Sequence, residues 1–190
     1  MSAPTVNLLL VSDLHLDMGR YDLSSHMTRF LTSGQRIDAV VLLGDIIEAA
    51  GGSPIAYALS QVPTDIPAIF IPGNHDFYGG RFGNIINRWS GQARGSHVQV
   101  LIDAQTVVSN PSGGEIVLLG TPLWSNLASF GPVVEAELRR TVVRQIADFS
   151  CMFASNGSAW TVGKMLDQFD LAYRFLSNAL LSRDPSDTRR

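Results

Sequence analysis

Four short apolar runs, each breaking abruptly into polar and glycine residues, constrain this chain more than any other feature of it. Val6 to Ser12 runs into Asp13-Leu14-His15, Ala39 to Leu43 into Gly44-Asp45, Ala68 to Ile71 into Pro72-Gly73-Asn74-His75-Asp76, and Ile116 to Leu119 into Gly120-Thr121-Pro122. Runs of Val, Ile and Leu without polar alternation suit strands covered on both faces. The steps from Asp13 to Asp45 and from Asp45 to Asn74 are 32 and 29 residues, close to the ~30 residues of a strand-helix-strand unit. The pattern therefore predicts parallel strands in a β-α-β-α-β order, with their polar ends on one edge of an α/β sheet. In open α/β sheets that edge gathers ligand-binding groups from remote parts of the chain.

The rest of the chain reads differently. Val98 to Ile102, Thr106 to Ser109 and Glu115 to Leu119 are joined by turn clusters such as Asn110-Pro111-Ser112-Gly113-Gly114, which predicts a meander of antiparallel strands. From Gly131 onward the pattern is helical, over Val134 to Phe149 and Val162 to Leu181, with a break at Ser155-Asn156-Gly157-Ser158. In the second of these, Phe169, Ala172, Tyr173, Leu176, Ala179 and Leu180 recur at spacings of three and four, giving one apolar face. A chain of 190 residues is near the size of one typical domain. We expect a single domain over 1–181 and a frayed polar tail over 182–190.

Composition narrows the function. No apolar run reaches the ~18 residues of a membrane span, and no charged flank precedes Leu8-Leu9-Leu10-Val11, so a cytoplasmic chain with no membrane partner is expected. Net charge is −3 and no run of Lys or Arg occurs, which argues against polymeric nucleic acid as a partner. Lys164 is the only lysine, and its surroundings, Gly163-Lys164-Met165, lack the upstream glycine and the hydroxyl of a phosphate-binding P-loop. No Gly-x-Gly-x-x-Gly follows the first strand, which disfavours a dinucleotide-binding oxidoreductase. Asp13 has no second Asp two residues on, and Cys151 has no Arg six residues later, so a phosphoaspartate or phosphocysteine route is absent. The lone Cys151 reads as a small buried hydrophobe.

Asp13 and His15 end a strand, where side chains two apart share a face and can reach one ion. Asp45 follows Gly44 at the next strand end, and Asn74 and His75 follow Gly73 at the third. Asp-x-His and Gly-Asp are common by themselves, but at ~5% usage per residue Gly-Asn-His-Asp turns up by chance in roughly one such chain in a thousand. Their order, each at a strand end, points to one polar site. His26 and His97 lie apart from these ends and read as surface or packing residues, whereas Asp17 and Asp76 are candidates for orienting a histidine or capping a turn. Glu48, Phe77, Tyr78 and Trp124 are candidates for a pocket lining.

In this order the segments Asp13-Leu14-His15, Gly44-Asp45-Ile46-Ile47-Glu48 and Gly73-Asn74-His75-Asp76 resemble the signature of the calcineurin-like metallophosphoesterases, over about Thr5 to Trp124. Gly120-Thr121-Pro122-Leu123-Trp124 also resembles a strand end of many bacterial members. The resemblance implies an αββα sandwich and a dinuclear hydrolase that attacks a phosphomonoester or phosphodiester with metal-bound hydroxide. It implies that Asp13 and His15 bind the first metal, that Asp45 bridges both and that Asn74 binds the second through its carbonyl oxygen. It makes His75 the catalytic residue at the phosphate or leaving group. Carboxylate, imidazole and amide-oxygen ligands suit Mn, Fe or Zn better than Ca or Mg. Family members usually supply further ligands from a later strand ending in His and from a Gly-His-x-His, and here no histidine follows His97. The reading is thus of a sandwich that is C-terminally incomplete, with a weak second metal site, exposed apolar surface and self-association. The rival reading is a metal-poor, inactive remnant or binding module.

Overall fold

The structure is a computed structural model that describes residues 5–128 and 131–182. Its centre is a parallel sheet of four strands in the order β1 (Leu8–Val11), β2 (Ala39–Leu43), β3 (Ala68–Ile71) and β4 (Val98–Val100). Helices α1 (Leu23–Thr32), α2 (Pro54–Gln61) and α3 (Phe82–Ala93) carry the chain between successive strands. Register runs Leu8 to Ala39, Val40 to Ala68 and Ala68 to Val98 across the sheet. All three expected parallel strands are present, the first shortened to Leu8–Val11.

The meander is corrected in part. Thr106 to Ser109 and Glu115 to Leu119 do form an antiparallel pair, β5 (Ala104–Ser109) with β6 (Glu115–Gly120). The segment beginning at Val98 instead joins the main sheet as β4, parallel to β3. The reason is α3, which packs on β4 and crosses over from β3, so that the chain re-enters the sheet in the same direction. Val134 to Phe149 is likewise split, into α4 (Pro132–Gln145) and α5 (Asp148–Cys151), because Ile146 is extended at φ −102°, ψ 127°. Helix α6 spans Val162–Leu181 as expected. The expected polar tail lies outside the described residues from 183 onward.

Two cores sandwich the sheet, and the strands divide their residues between them by the period of two that a strand imposes. Val40, Leu42, Ala68 and Phe70 face Leu23 and Met27 of α1, Ile55 and Ala58 of α2, and Ile85 and Trp89 of α3. Ala39, Val41 and Ile69 face the other way, packing with Leu101 and Val108. The β5–β6 pair therefore forms a second β layer behind the main sheet, while its outward residues Gln105, Val107 and Ser109 stay exposed. Helices on a parallel sheet backed by a second sheet are consistent with the metallophosphoesterase fold. No helix among the described residues is long and apolar enough to cross a membrane.

Candidate metal centre

The carboxyl ends of β1, β2 and β3 open into three loops that are laced to one another by backbone. Asp13 N–H donates to Gly44 O at 3.1 Å, His15 N–H to Asp45 O at 3.1 Å and Leu16 N–H to Ile46 O at 2.9 Å. Such close lacing requires unusual dihedrals. Asp13, His15 and Asp45 have φ of 55°, 42° and 54°, and they account for three of the five non-glycine residues with positive φ among the described residues. Each such conformation costs about 1–3 kcal/mol and persists where the surroundings enforce it. Here the strain falls on three of the residues that the motif singles out. Gly73 is obligatory, since a Cβ there would collide with the Asp45 carboxylate and backbone nitrogen.

Asp76 staples the second and third loops. Its buried carboxylate accepts from Asp45 N–H at 2.8 Å, Ile46 N–H at 2.9 Å, Ile47 N–H at 3.1 Å and Gly73 N–H at 2.9 Å. Burial pushes its pKa up to about 6, against the pull of these four donors toward the ionised form. Asp76 is thus a loop staple and does not orient a histidine. Asp17 takes that role, its Oδ1 lying 3.1 Å from His75 Nε2. Burial raises the Asp17 pKa, but hydrogen bonds from His75 and from the backbone of Asp17 and Glu48 outweigh it and leave the group below its ordinary value.

Asp13, His15 and Asp45 bring one ligand atom each to within 4.8 Å of one another, and so do His15, Asp17 and His75. The two groups share His15, whose ring meets that of His75 edge-on at 4.5 Å between centroids. His15 Nδ1 is shut away from solvent with no hydrogen-bond partner among the described residues. Leaving such a nitrogen unpaired costs about 1–3 kcal/mol. Two carboxylates and an imidazole converging without a Lys or Arg partner among the described residues, and with an orphaned nitrogen, fit a divalent cation of the Mn, Fe or Zn kind. The Asp45 carboxylate also accepts the His75 N–H at 3.1 Å, which ties the first ligand group to the Asn74-His75 loop.

Asn74 reaches into a buried network that sequence reasoning missed. Its Nδ2 donates to Asp148 Oδ1 at 2.6 Å, the Tyr78 hydroxyl donates to the same oxygen at 2.6 Å, and Trp124 Nε1 donates to Asp148 Oδ2 at 3.2 Å. Burial, then the Asp148 hydrogen bond and charge, drive the Tyr78 pKa far up, so Tyr78 stays a neutral donor. The only signal of Asp148 in the sequence is an acid among apolar neighbours in a helical stretch. Of the residues considered for a pocket lining, Phe77 and Trp124 are buried in the core instead, in ring contact with Phe82. His26 stacks on Tyr21 and His97 Nε2 lies 3.1 Å from Val62 O, and neither belongs to a group of converging ligand atoms.

A parallel sheet whose carboxyl edge gathers carboxylates, imidazoles and a fixed amide on three interlaced loops is the architecture of the metal-dependent phosphoesterases. The family model of calcineurin-like phosphoesterases matches residues 6–133, and the chain belongs to that family. It is similar to UDP-2,3-diacylglucosamine hydrolase of Shewanella baltica, 39% identical over 82 residues, covering 38% of this chain and 34% of the relative. The enzyme of the same name from Stenotrophomonas maltophilia is 43% identical over 79 residues, covering 36% and 32%. The matched region thus spans about a third of the length of these curated relatives.

Proposed function

We propose that the chain is a metal-dependent phosphoesterase hydrolysing a small phosphomonoester or phosphodiester. The observation that supports this most is the convergence of Asp13, His15 and Asp45 within 4.8 Å at the sheet edge. In this reading Asp13 and His15 would hold a first divalent ion, Asp45 would touch both ions, and Asn74 would hold the second through its amide oxygen. Two such ions, Mn, Fe or Zn, when bound, supply Lewis acidity toward phosphoryl oxygens and lower the pKa of a coordinated water toward neutrality. The protein's own part is positional and protonic. Asp45 is fixed by its strained backbone and by the His75 N–H, and His75, oriented by Asp17, contacts the phosphate and gives a proton to the leaving oxygen. The rival reading, an inactive remnant or binding module, draws no support from the family match.

The relatives' named substrate, UDP-2,3-diacylglucosamine, is a candidate for this chain too. The test is hydrolysis of 4-nitrophenyl phosphate, bis(4-nitrophenyl) phosphate and UDP-2,3-diacylglucosamine with Mn²⁺, Fe²⁺ or Zn²⁺ added singly. At least one ester is expected to turn over, with chelator stopping the reaction and the metal restoring it. Folded protein that turns over none of the three with any metal would overturn the proposal.

A further inference from the structure

We propose that Asp148 is a positioning residue whose carboxylate locks the Asn74 side-chain amide in the orientation that leaves its carbonyl oxygen for the second ion. This rests on the reading of Asn74 as a ligand. A side-chain amide has two unlike ends of nearly equal shape, an NH₂ with two donors and an oxygen that only accepts. Turned the wrong way, it presents N–H groups to a cation and is no ligand. The Gly-Asn-His-Asp loop alone does not choose, because Asn74 sits in ordinary helical dihedrals at φ −69°, ψ −38°.

The choice is made 74 residues further on. Asp148 Oδ1 lies 2.6 Å from Asn74 Nδ2, and a carboxylate accepts without donating, so only the NH₂ end can face it. Tyr78 reinforces that choice. Its proton goes to the same Oδ1, leaving its lone pairs for Asn74 Nδ2 at 3.2 Å. Trp124 Nε1 occupies the other carboxylate oxygen, and Asp148 is only 3% exposed, so the carboxylate has no freedom to swing to solvent. Asn74 Oδ1 is engaged by no hydrogen bond among the described residues, which leaves it open for an ion. Partners that orient a metal ligand in this way typically contribute 10- to 100-fold to metal affinity.

Titration of Mn²⁺ alone into the full chain tests this, followed by calorimetry and by electron paramagnetic resonance, where coupling between two neighbouring ions quenches the isolated-ion signal. Asp148→Asn keeps the shape but offers an NH₂ that tolerates the flipped amide. It is expected to weaken the second Mn²⁺ by about 10- to 100-fold while leaving the first unchanged. Tyr78→Phe, which keeps the carboxylate, is expected to change the second affinity far less. The reciprocal pair separates positioning from mere bracing. Asn74→Asp alone sets two carboxylates against each other and weakens the second ion, whereas Asn74→Asp with Asp148→Asn restores one donor facing one acceptor and recovers the coupled signal. Failure of the double variant to recover it, or normal second-ion affinity in Asp148→Asn beside a loss in Asn74→Ala, overturns the positioning role. Unchanged second-ion affinity in Asn74→Ala overturns the ligand reading and this proposal with it. If Asp148→Asn does not fold, the double variant decides alone.

Discussion

At Asp45 three demands meet in one residue: a left-handed backbone at φ 54°, a carboxylate that takes the His75 N–H, and a main-chain nitrogen held by Asp76. Gly73 makes room for that carboxylate. Close approach of the two loops leaves glycine as the one residue that fits at position 73. Asp13, His15, Asp45, Asn74 and His75 stood out as candidates because each follows a strand-length apolar run, and the structure brings Asp13, His15 and Asp45 together. Asp148 did not stand out, because its partners Asn74, Tyr78 and Trp124 lie 74, 70 and 24 residues away, and no local pattern announces a tertiary hydrogen bond. The residue-scale prediction concerns His75. General acid catalysis contributes about 10²- to 10⁴-fold, so His75→Ala is expected to cut turnover by about that factor for alkyl esters with metal retained, and by much less for nitrophenyl esters. Steady-state kinetics on both ester types checks it, and equal losses for the two contradict a proton-donor role.

Elements follow their local signals wherever periodicity and caps agree. Helix α6 occupies Val162–Leu181 because Thr161 accepts the Lys164 N–H at its start and apolar residues recur at helical spacing from Phe169 to Leu180, although Tyr173 and Leu180 of that expected face stay exposed. Strand β4 defied its signal, since three residues, Val98–Val100, carry too little pattern to state which sheet they join; α3 decides that. Within α3, Trp89 is fully buried against Phe70 and Phe77, with ring centroids 5.1 Å from each, so the crossover is anchored on the same face as β3. Helix α1 offers a test of capping. Asp22 accepts from the Ser25 hydroxyl, the Ser25 N–H and the Ser24 hydroxyl, and these bonds hold its pKa down at about 2, from 3.8. The folded value lies below the unfolded one, so the stabilisation is full above about pH 4 and is lost as pH falls through about 2. Asp22→Ala is expected to lower the melting midpoint at pH 7, and the gap is expected to close as pH drops from 4 toward 2. Thermal unfolding monitored by circular dichroism checks this, and a gap that is the same at both ends of the range contradicts it.

For the whole molecule, the parallel sheet was legible because β1, β2 and β3 are continuous apolar runs, whereas the second layer followed only from the resemblance, since the run from Ile116 to Leu119 in β6 is as apolar as those of the main sheet. What layering does not protect is the outer edge of β1, which pairs only with β2 among the described residues. Leu10 on that strand is 58% exposed and Leu43 at the end of β2 is 42% exposed, and Leu10 borders a mixed groove lined by Leu9, Val11, Ser12, Tyr21, His26 and Phe30. An open, apolar edge strand templates pairing with another chain. Self-association that rises with concentration and weakens in Leu10→Lys is expected by sedimentation velocity, and a monomer at all concentrations contradicts it. The centre itself is tested most directly by metal content. Elemental analysis of protein purified without chelator is expected to give two divalent ions per chain, the second more readily lost on dialysis because fewer residues hold it, and none in folded Asp45→Ala. Unchanged stoichiometry in Asp45→Ala would contradict the account.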